Sequence, residues 1–211
     1  IIRHLQLNNA VCKTFPLSYA QKSLWYIYQS APDSAAYNTA MAVRLLFEVD
    51  LNLFKSTLNQ LITRHSSLRS VFTILDTEQK PHPVQHILAY PKFFLEQIDA
   101  STWSMDKLKS TVREVHQRPF ELKKGPVFRT NLFTKDKKDH VLLISIHHIV
   151  CDGWSMWILM DELWKIYHLK DSTQSIPSDV SSQNNRIIYK KGELPSLIEP
   201  ISDHVKSLIP A

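Results

Sequence analysis

Glycine and cysteine are scarce in this chain, and long apolar runs are missing. The 211 residues include three glycines and two cysteines, Cys12 and Cys151. Two cysteines so far apart form neither a zinc-binding spacing nor a disulfide framework, which favours a reducing compartment and no bound metal. No apolar run is long enough to span a bilayer, and no signal peptide is recognisable. These features predict a cytoplasmic protein without a membrane partner.

The chain also lacks a strongly basic surface. It carries 25 basic and 20 acidic residues, a formal net charge of +5, and no basic stripe interleaved with aromatic residues. We therefore expect no nucleic-acid partner. The hydrophobic content of 44% allows a sizeable core and most simply a single domain. After about residue 170 the composition shifts to Ser, Asp, Gln and Asn, so we predict a globular lobe over residues 1–170 and a linker and tail over 171–211.

Hydrophobic periodicity predicts a mixture of helices and strands. Helices are predicted at residues 16–29, from an N-cap at Asp50, around 105–115, after residue 153 and near 201–209. A strand is predicted over residues 41–49, and a hairpin joins 127–133 to 140–148. The first helix is expected to bury Leu17, Ala20, Leu24 and Ile27, and the helix after residue 153 to bury Met156, Leu159, Met160, Leu163 and Ile166, with Trp154, Trp157 and Trp164 as core residues. Together these elements predict an α+β sandwich, with helices packed on a largely antiparallel mixed sheet.

The most informative stretch is IHHIVCDGWS, residues 146–155, which follows an apolar run and precedes an amphipathic helix. Alternate residues of the preceding run are apolar on both faces, which is typical of an interior strand covered on both sides. Adjacent residues of a strand point to opposite faces, so His147 and His148 cannot share one task.

The residues after the histidines favour a functional site over two histidines that merely pack in a core. Asp152 leaves a buried strand, which costs free energy unless the carboxylate is paired. Gly153 indicates a special backbone conformation or a close approach by another group. Cys151 has no basic neighbour fixed by sequence to make it a thiolate, so we predict a small packing residue.

Four blocks together resemble the condensation domains of nonribosomal peptide synthetases. They are Leu17–Trp25, Arg64–Phe72, Pro119–Arg129 and His147–Ser155, in the family's order, with Ser66 where the family usually has glutamate. The resemblance covers roughly residues 14–170 and implies a chloramphenicol-acetyltransferase-like fold. In that family two such lobes form a V, and a tunnel between them admits two carrier-protein arms. This chain would be the N-terminal lobe, without the second one.

The resemblance also implies a reaction and its residues. A carrier-bound aminoacyl amine attacks a carrier-bound acyl thioester and forms an amide through a negatively charged tetrahedral intermediate. His148 is the expected catalytic residue and His147 a support for the fold. Asp152 is expected to pair with Arg69 and hold the turn, and the Gly153 N–H to face the oxyanion. Arg64 is expected, with Arg69, to give structural support.

The expected partners follow from the same resemblance. They are donor and acceptor peptidyl carrier proteins, and the missing C-terminal lobe or neighbouring synthetase domains. The chain itself is expected to bind no cofactor, because the phosphopantetheine arms belong to the carrier proteins. As a lone lobe it is expected to be an incomplete acyltransferase with an exposed apolar patch.

Two alternatives remain open. A stand-alone, acyl-CoA-dependent acetyltransferase of the chloramphenicol type shares the histidine motif and a similar length. Its motif lies nearer the C-terminus, and the block over residues 18–25 argues against it. The other alternative is a catalytically silent docking or scaffold lobe, which is consistent with the absence of the second lobe from this sequence.

Overall fold

The computed structural model describes residues 11–76, 80–89 and 95–170, and within these ranges strands are interspersed with helices. The elements are β1 (Val11–Pro16), α1 (Tyr19–Ser30), β2 (Asn38–Leu45), α2 (Leu51–Arg64), a 3-10 turn (Ser66–Arg69), β3 (Ser70–Leu75), β4 (His82–Leu88), β5 (Leu95–Asp99), α3 (Met105–His116), β6 (Phe128–Asp136), β7 (Asp139–His147) and α4 (Gly153–Lys170). The predicted linker and tail over residues 171–211, with the short helix near 201–209, lie outside the described residues. No helix in the described ranges is both long and apolar enough to cross a membrane.

The strands form two sheets. The larger has the order β2-β7-β6-β5, in which β5 runs parallel to β6 and the other neighbours are antiparallel. The smaller is an antiparallel sheet of order β1-β4-β3. The predicted α+β class with a largely antiparallel mixed sheet is confirmed, and so is the hairpin, which is β6 and β7.

Strand β7 is an interior strand of the larger sheet. It pairs with β2 along one edge and with β6 along the other. On one face Leu142, Ile144 and Ile146 pack under α2 and α4. On the other face Val141 and Leu143 pack under α3. The prediction of an interior strand covered on both sides is therefore confirmed.

Side-chain caps determine where the helices begin. The Asp50 carboxylate accepts hydrogen bonds from the amides of Asn52 and Leu53 at 2.9 and 3.0 Å, which confirms the predicted N-cap of α2. At α1, Ser18 and Gln21 form a reciprocal capping box. The cap places the first turn of α1 at residue 19 and leaves Leu17 before the helix.

The buried stripe of α1 differs from the prediction. Helix α1 buries Trp25 and Tyr28, whereas Ala20 and Ile27 are exposed and Leu24 is partly buried. The Trp25 ring lies 5.6 Å from the Tyr28 ring and 6.5 Å from the Phe72 ring, measured between centroids. A stripe offset by one residue allows the two large aromatic side chains, rather than the aliphatic ones, to be buried. The larger apolar area of these rings decides the orientation of the helix.

Helix α4 follows its predicted stripe closely, except at its tryptophans. Its buried residues are Met156, Leu159, Met160, Leu163 and Tyr167, and Ile166 is partly buried. Trp164 packs against the ring of Phe54. Trp154 and Trp157 are 76% and 51% exposed, so the prediction of core positions is wrong for these two. They lie on the first two turns of α4, close to the end of β7.

Candidate active site

The site is the turn that links β7 to α4, residues 148–151, which we call the active-site turn. Backbone hydrogen bonds anchor its start on both sides. The His147 amide donates to the Val127 carbonyl at 3.0 Å, and the His148 amide donates to the Tyr37 carbonyl at 2.8 Å. The Val150 amide then donates back to the His147 carbonyl at 3.1 Å and closes the turn. The chain thus leaves the sheet at a fixed point.

His147 is buried and acts as a hydrogen-bond acceptor. Its side chain points to the α3 side of the sheet, 4% exposed, and its ring meets the edge of Phe120 at 6.1 Å between centroids. Its Nδ1 accepts the Ile149 amide at 3.1 Å, which requires an unprotonated Nδ1. Burial, and secondarily the neighbouring His148, lower the pKa of His147 to about 4. His147 is therefore neutral at pH 7.

His148 has the opposite surroundings. Its side chain is exposed, and its Nδ1 lies 2.8 Å from the Cys151 carbonyl oxygen. Because a carbonyl oxygen only accepts, Nδ1 carries a proton, and in the neutral form of the ring the lone pair is therefore on Nε2. No hydrogen bond from the described residues reaches Nε2. The turn thus presents an exposed imidazole whose Nε2 can accept a proton.

Asp152 caps α4 instead of forming a buried ion pair. The side chain is exposed, and its Oδ1 accepts the Ser155 amide at 2.7 Å and the Ser155 hydroxyl at 2.6 Å. These hydrogen bonds lower the pKa of the Asp152 carboxyl. The predicted pair with Arg69 is absent from the described contacts, since the Arg69 guanidinium donates to three backbone carbonyls, those of Ile62, Thr63 and Leu88. Arg69 is used elsewhere because two of these carbonyls belong to the last turn of α2, where carbonyls lack helical partners. The Asp152 carboxylate is exposed, so it needs no cation beside it.

Arg64 lies at the C-terminal end of α2 and contacts α4. Its Nη2 is 3.3 Å from a carboxylate oxygen of Glu162, and the ring of His65 contacts the same carboxylate. Both arginines therefore lie near the end of α2. Arg64 pairs with Glu162 of α4, whereas Arg69 donates to backbone carbonyls. Neither contacts the active-site turn among the described residues.

Gly153 is the first residue of α4, and the special backbone expected there is not observed. Its φ lies outside the left-handed region, and a Cβ built on it meets no atom within 4 Å among the described residues. Gly125 is the described glycine with a positive φ, at 67°. The missing side chain at Gly153 leaves open space beside the turn.

Cys151 is a packing residue, as predicted. It is 6% exposed, and burial together with the Asp152 charge raises the pKa of its thiol to about 11. The protonated thiol donates to the Asp152 carbonyl at 3.3 Å. No group of three or more His, Cys, Asp or Glu side chains in the described ranges is arranged to hold a metal ion.

Two further contributors to the site, Gln21 and Tyr37, were not predicted from the sequence. The Gln21 side-chain amide donates to the Ile149 carbonyl in the turn at 3.2 Å. Tyr37 acts through its backbone carbonyl, so its residue type carries no signal. The spacing of Ser18 and Gln21 indicates a capping box, but not that Gln21 also reaches a turn 128 residues later in the chain.

Comparisons with known proteins place the chain in a family. The family model for the condensation domain matches residues 11–185. A linear gramicidin synthase protein of Brevibacillus parabrevis is 36% identical over 156 residues, which cover 72% of this chain and 2% of that protein. A dimodular nonribosomal peptide synthase of Bacillus subtilis (strain 168) is 36% identical over 177 residues, 78% of this chain and 7% of that protein.

Solved structures agree on the fold. The starter condensation domain of rhizomide synthetase RzmA matches with a TM-score of 0.67 at 22% identity, over 79% of this chain and 40% of that one. The first condensation domain of the CDA synthetase matches with a TM-score of 0.68 at 20% identity, over 81% and 43%. The chain thus spans a few per cent of these curated relatives and about two fifths of these solved chains. It belongs to the condensation-domain family of nonribosomal peptide synthetases, and what the structure describes is the fold of a single lobe.

Proposed function

We propose that this chain is the N-terminal lobe of a condensation domain, over residues 1–170, that forms an amide between a carrier-bound acyl thioester and a carrier-bound aminoacyl amine. The observation that carries the proposal is His148, which is exposed at the turn with Nδ1 tied to the Cys151 carbonyl and Nε2 available. Residues 171–211 would serve as linker and tail. Membership of the condensation-domain family supports this reaction over a stand-alone acetyltransferase or a scaffold.

The proposed chemistry uses Nε2 of His148 as a proton acceptor. The acceptor amine attacks the thioester carbonyl carbon, a C–N bond forms, and collapse of the tetrahedral intermediate breaks the C–S bond. Nε2 accepts the proton that the amine nitrogen loses, and that proton is passed to the departing thiolate. The Nδ1–H to Cys151 hydrogen bond stabilises the imidazolium formed between these transfers.

The other motif residues have supporting roles in this proposal. His147 holds the Ile149 amide and thereby the turn. Asp152 fixes the start of α4, which places the Gly153 N–H at the positive end of the helix, and we assign this amide as a donor to the oxyanion. The open space at Gly153 leaves room for the reacting carbonyl group.

The partners we propose follow from the exposure of the site. The phosphopantetheine arms of donor and acceptor carrier proteins deliver both substrates, so the lobe needs no cofactor of its own. Trp154, Trp157 and Ile158 form an exposed apolar stripe beside the turn, at 76%, 51% and 46% exposure. We propose that the second lobe or a neighbouring synthetase domain covers this stripe and supplies the opposite wall of the tunnel.

His148→Ala should lower the rate of amide formation about a hundred-fold or more, because the proton acceptor is lost. The measurement is product formation from loaded carrier proteins in the synthetase that contains this lobe. His168→Ala is the matched control and should leave the rate unchanged. Like His148, His168 is exposed and has its Nδ1 2.8 Å from a backbone carbonyl, that of Trp164, but it lies on α4 and away from the active-site turn. A near-normal rate for His148→Ala would remove His148 from the mechanism.

Asp152→Ala should lower the free energy of unfolding by about 1 kcal/mol, the usual effect of losing a helix N-cap. Asp152→Asn, which keeps an acceptor for the Ser155 amide, should lose less. Urea unfolding of both variants measures the difference. A loss of about 3–5 kcal/mol would instead indicate that the carboxylate is part of a buried ion pair.

The stability contributed by neutral His147 should fall as the pH is lowered. Its pKa is about 4 in the folded chain, against 6.5 for an unperturbed imidazole, so the unfolded chain takes up this proton first. The loss begins near pH 6.5 and is complete near pH 4, and a pKa difference of this size corresponds to about 3 kcal/mol. His147→Asn keeps an acceptor for the Ile149 amide without titrating there, and should lose less stability over this range. If the free energies of unfolding of the two proteins fell equally over this pH range, the loss would not come from protonation of His147.

The 211-residue chain mixed with acyl- and aminoacyl-loaded carrier proteins should form no amide above background. Without an opposite wall, water reaches His148, and the two arms lose the fixed approach that contributes up to about 7–11 kcal/mol to such reactions. Mass spectrometry of the acceptor carrier measures the product. Clear turnover would show that the lobe is catalytically complete, alone or as a self-assembled pair.

A further inference from the structure

Gln21 connects the start of α1 to the active-site turn. Its backbone amide donates to the Ser18 hydroxyl at 3.2 Å, and its side-chain Oε1 accepts the Ser18 amide at 3.1 Å. Its side-chain Nε2 donates to the Ile149 carbonyl at 3.2 Å and to Oε1 of Gln85 at 3.3 Å. One side chain therefore both caps a helix and holds a turn that is distant in sequence.

The partners of Gln21 fix the orientation of its amide. The Ser18 amide can only donate, so it requires Oε1, and the Ile149 carbonyl can only accept, so it requires Nε2. Gln85 is itself oriented, because its Nε2 donates to the Ser70 hydroxyl at 2.6 Å. A flipped Gln21 amide would place oxygen against oxygen at Ile149. The contact thus depends on an amide, not on side-chain length alone.

Both backbone polar groups of Ile149 are held by side chains. His147 Nδ1 accepts its amide, and Gln21 donates to its carbonyl. The Ile149 side chain is 3% exposed and packs in the same cluster as Trp25, which lies one helical turn after Gln21 on α1. Polar and apolar contacts therefore join α1 to the same residue of the turn.

We propose that Gln21 is a positioning residue for His148, an inference that rests on the proposed role of His148 in condensation. The Ile149 carbonyl is the point at which α1 fixes the turn, and the Cys151 carbonyl that accepts Nδ1–H of His148 follows two residues later. Releasing Ile149 lets the turn move and weakens that acceptor. The proton on the His148 ring then no longer stays on Nδ1, and Nε2 is no longer held as the accepting nitrogen.

The test is the position of the ring proton of His148 in the 211-residue chain. Nitrogen-15 chemical shifts of the imidazoles at about pH 8 report it, and the His148 signals are identified by their loss in His148→Ala. In the unmodified chain the proton should be mainly on Nδ1. Gln21→Glu keeps the acceptor for the Ser18 amide but loses the donor to Ile149. It should lower the ratio of Nδ1–H to Nε2–H about fivefold, equivalent to about 1 kcal/mol at about 1.4 kcal/mol per tenfold.

Ser18→Ala is the matched control, because it removes the other half of the capping box and leaves the Gln21 donor in place. It should lower the melting temperature of the chain and leave the ring-proton ratio unchanged. Gln21→Met, which loses the donor without adding a charge, should shift the ratio as Gln21→Glu does. A ratio within about twofold of the unmodified chain in both Gln21 variants overturns the inference. An equal shift in Ser18→Ala overturns it as well, since the effect would then come from the helix start.

The nitrogen-15 shifts of His148 can be measured whether or not the chain is catalytically active. Loss of amide formation in His148→Ala tests the proposed function, whereas the ring-proton ratio tests Gln21. A catalytically silent His148 would contradict the proposed function, and the nitrogen shifts would still decide whether Gln21 positions the ring.

Discussion

The buried strand β7 is the constraint on which the rest of the lobe depends. It is hydrogen-bonded along both edges and covered by helices on both faces, so its position cannot change without disturbing three layers. The last residue of the strand, His147, therefore has a fixed place, and its amide is still bonded to the loop before β6. The turn that follows begins from a rigid point and ends at a capped helix. A rigid scaffold under a short turn is the arrangement by which a functional group is held in one geometry.

Burial gives the two adjacent histidines different chemistry. The His147 ring is enclosed on the α3 side, which lowers its pKa to about 4 and keeps its Nδ1 as an acceptor for the Ile149 amide. The His148 ring is exposed, and its Nδ1 is the donor to the Cys151 carbonyl. The same ring atom thus has opposite roles in neighbouring residues. The first imidazole helps to shape the turn, and the shape of the turn determines which nitrogen of the second imidazole has the free lone pair.

What could be predicted from the sequence depends on how local its cause is. Alternation of apolar residues predicted β7, and Asp50 was predicted as the N-cap of α2, because each depends on residues within a few positions. The Ser18 cap is equally local. The Asp152–Arg69 pair was a long-range expectation that came with the family resemblance, and it failed because a helix N-terminus already satisfies the Asp152 carboxylate. The contact of Gln21 with Ile149 had no local signal, since it arises where α1 packs against a turn far along the chain.

Within the residues that the structure describes, the lobe fixes the His148 ring but leaves it exposed. The position and tautomer of His148 are fixed by contacts within the lobe, to Tyr37 and Cys151, and these require no partner. Exclusion of water is a separate requirement, and the exposed stripe of Trp154, Trp157 and Ile158 lies where a covering surface would supply it. In the proposed reaction, proton transfer is therefore prepared by this lobe, whereas desolvation and alignment of the two arms come from what it meets. That division accounts for a hydrogen-bonded turn at an open face: the contacts that fix the turn lie within the lobe, and in the proposed reaction the enclosure comes from a covering partner.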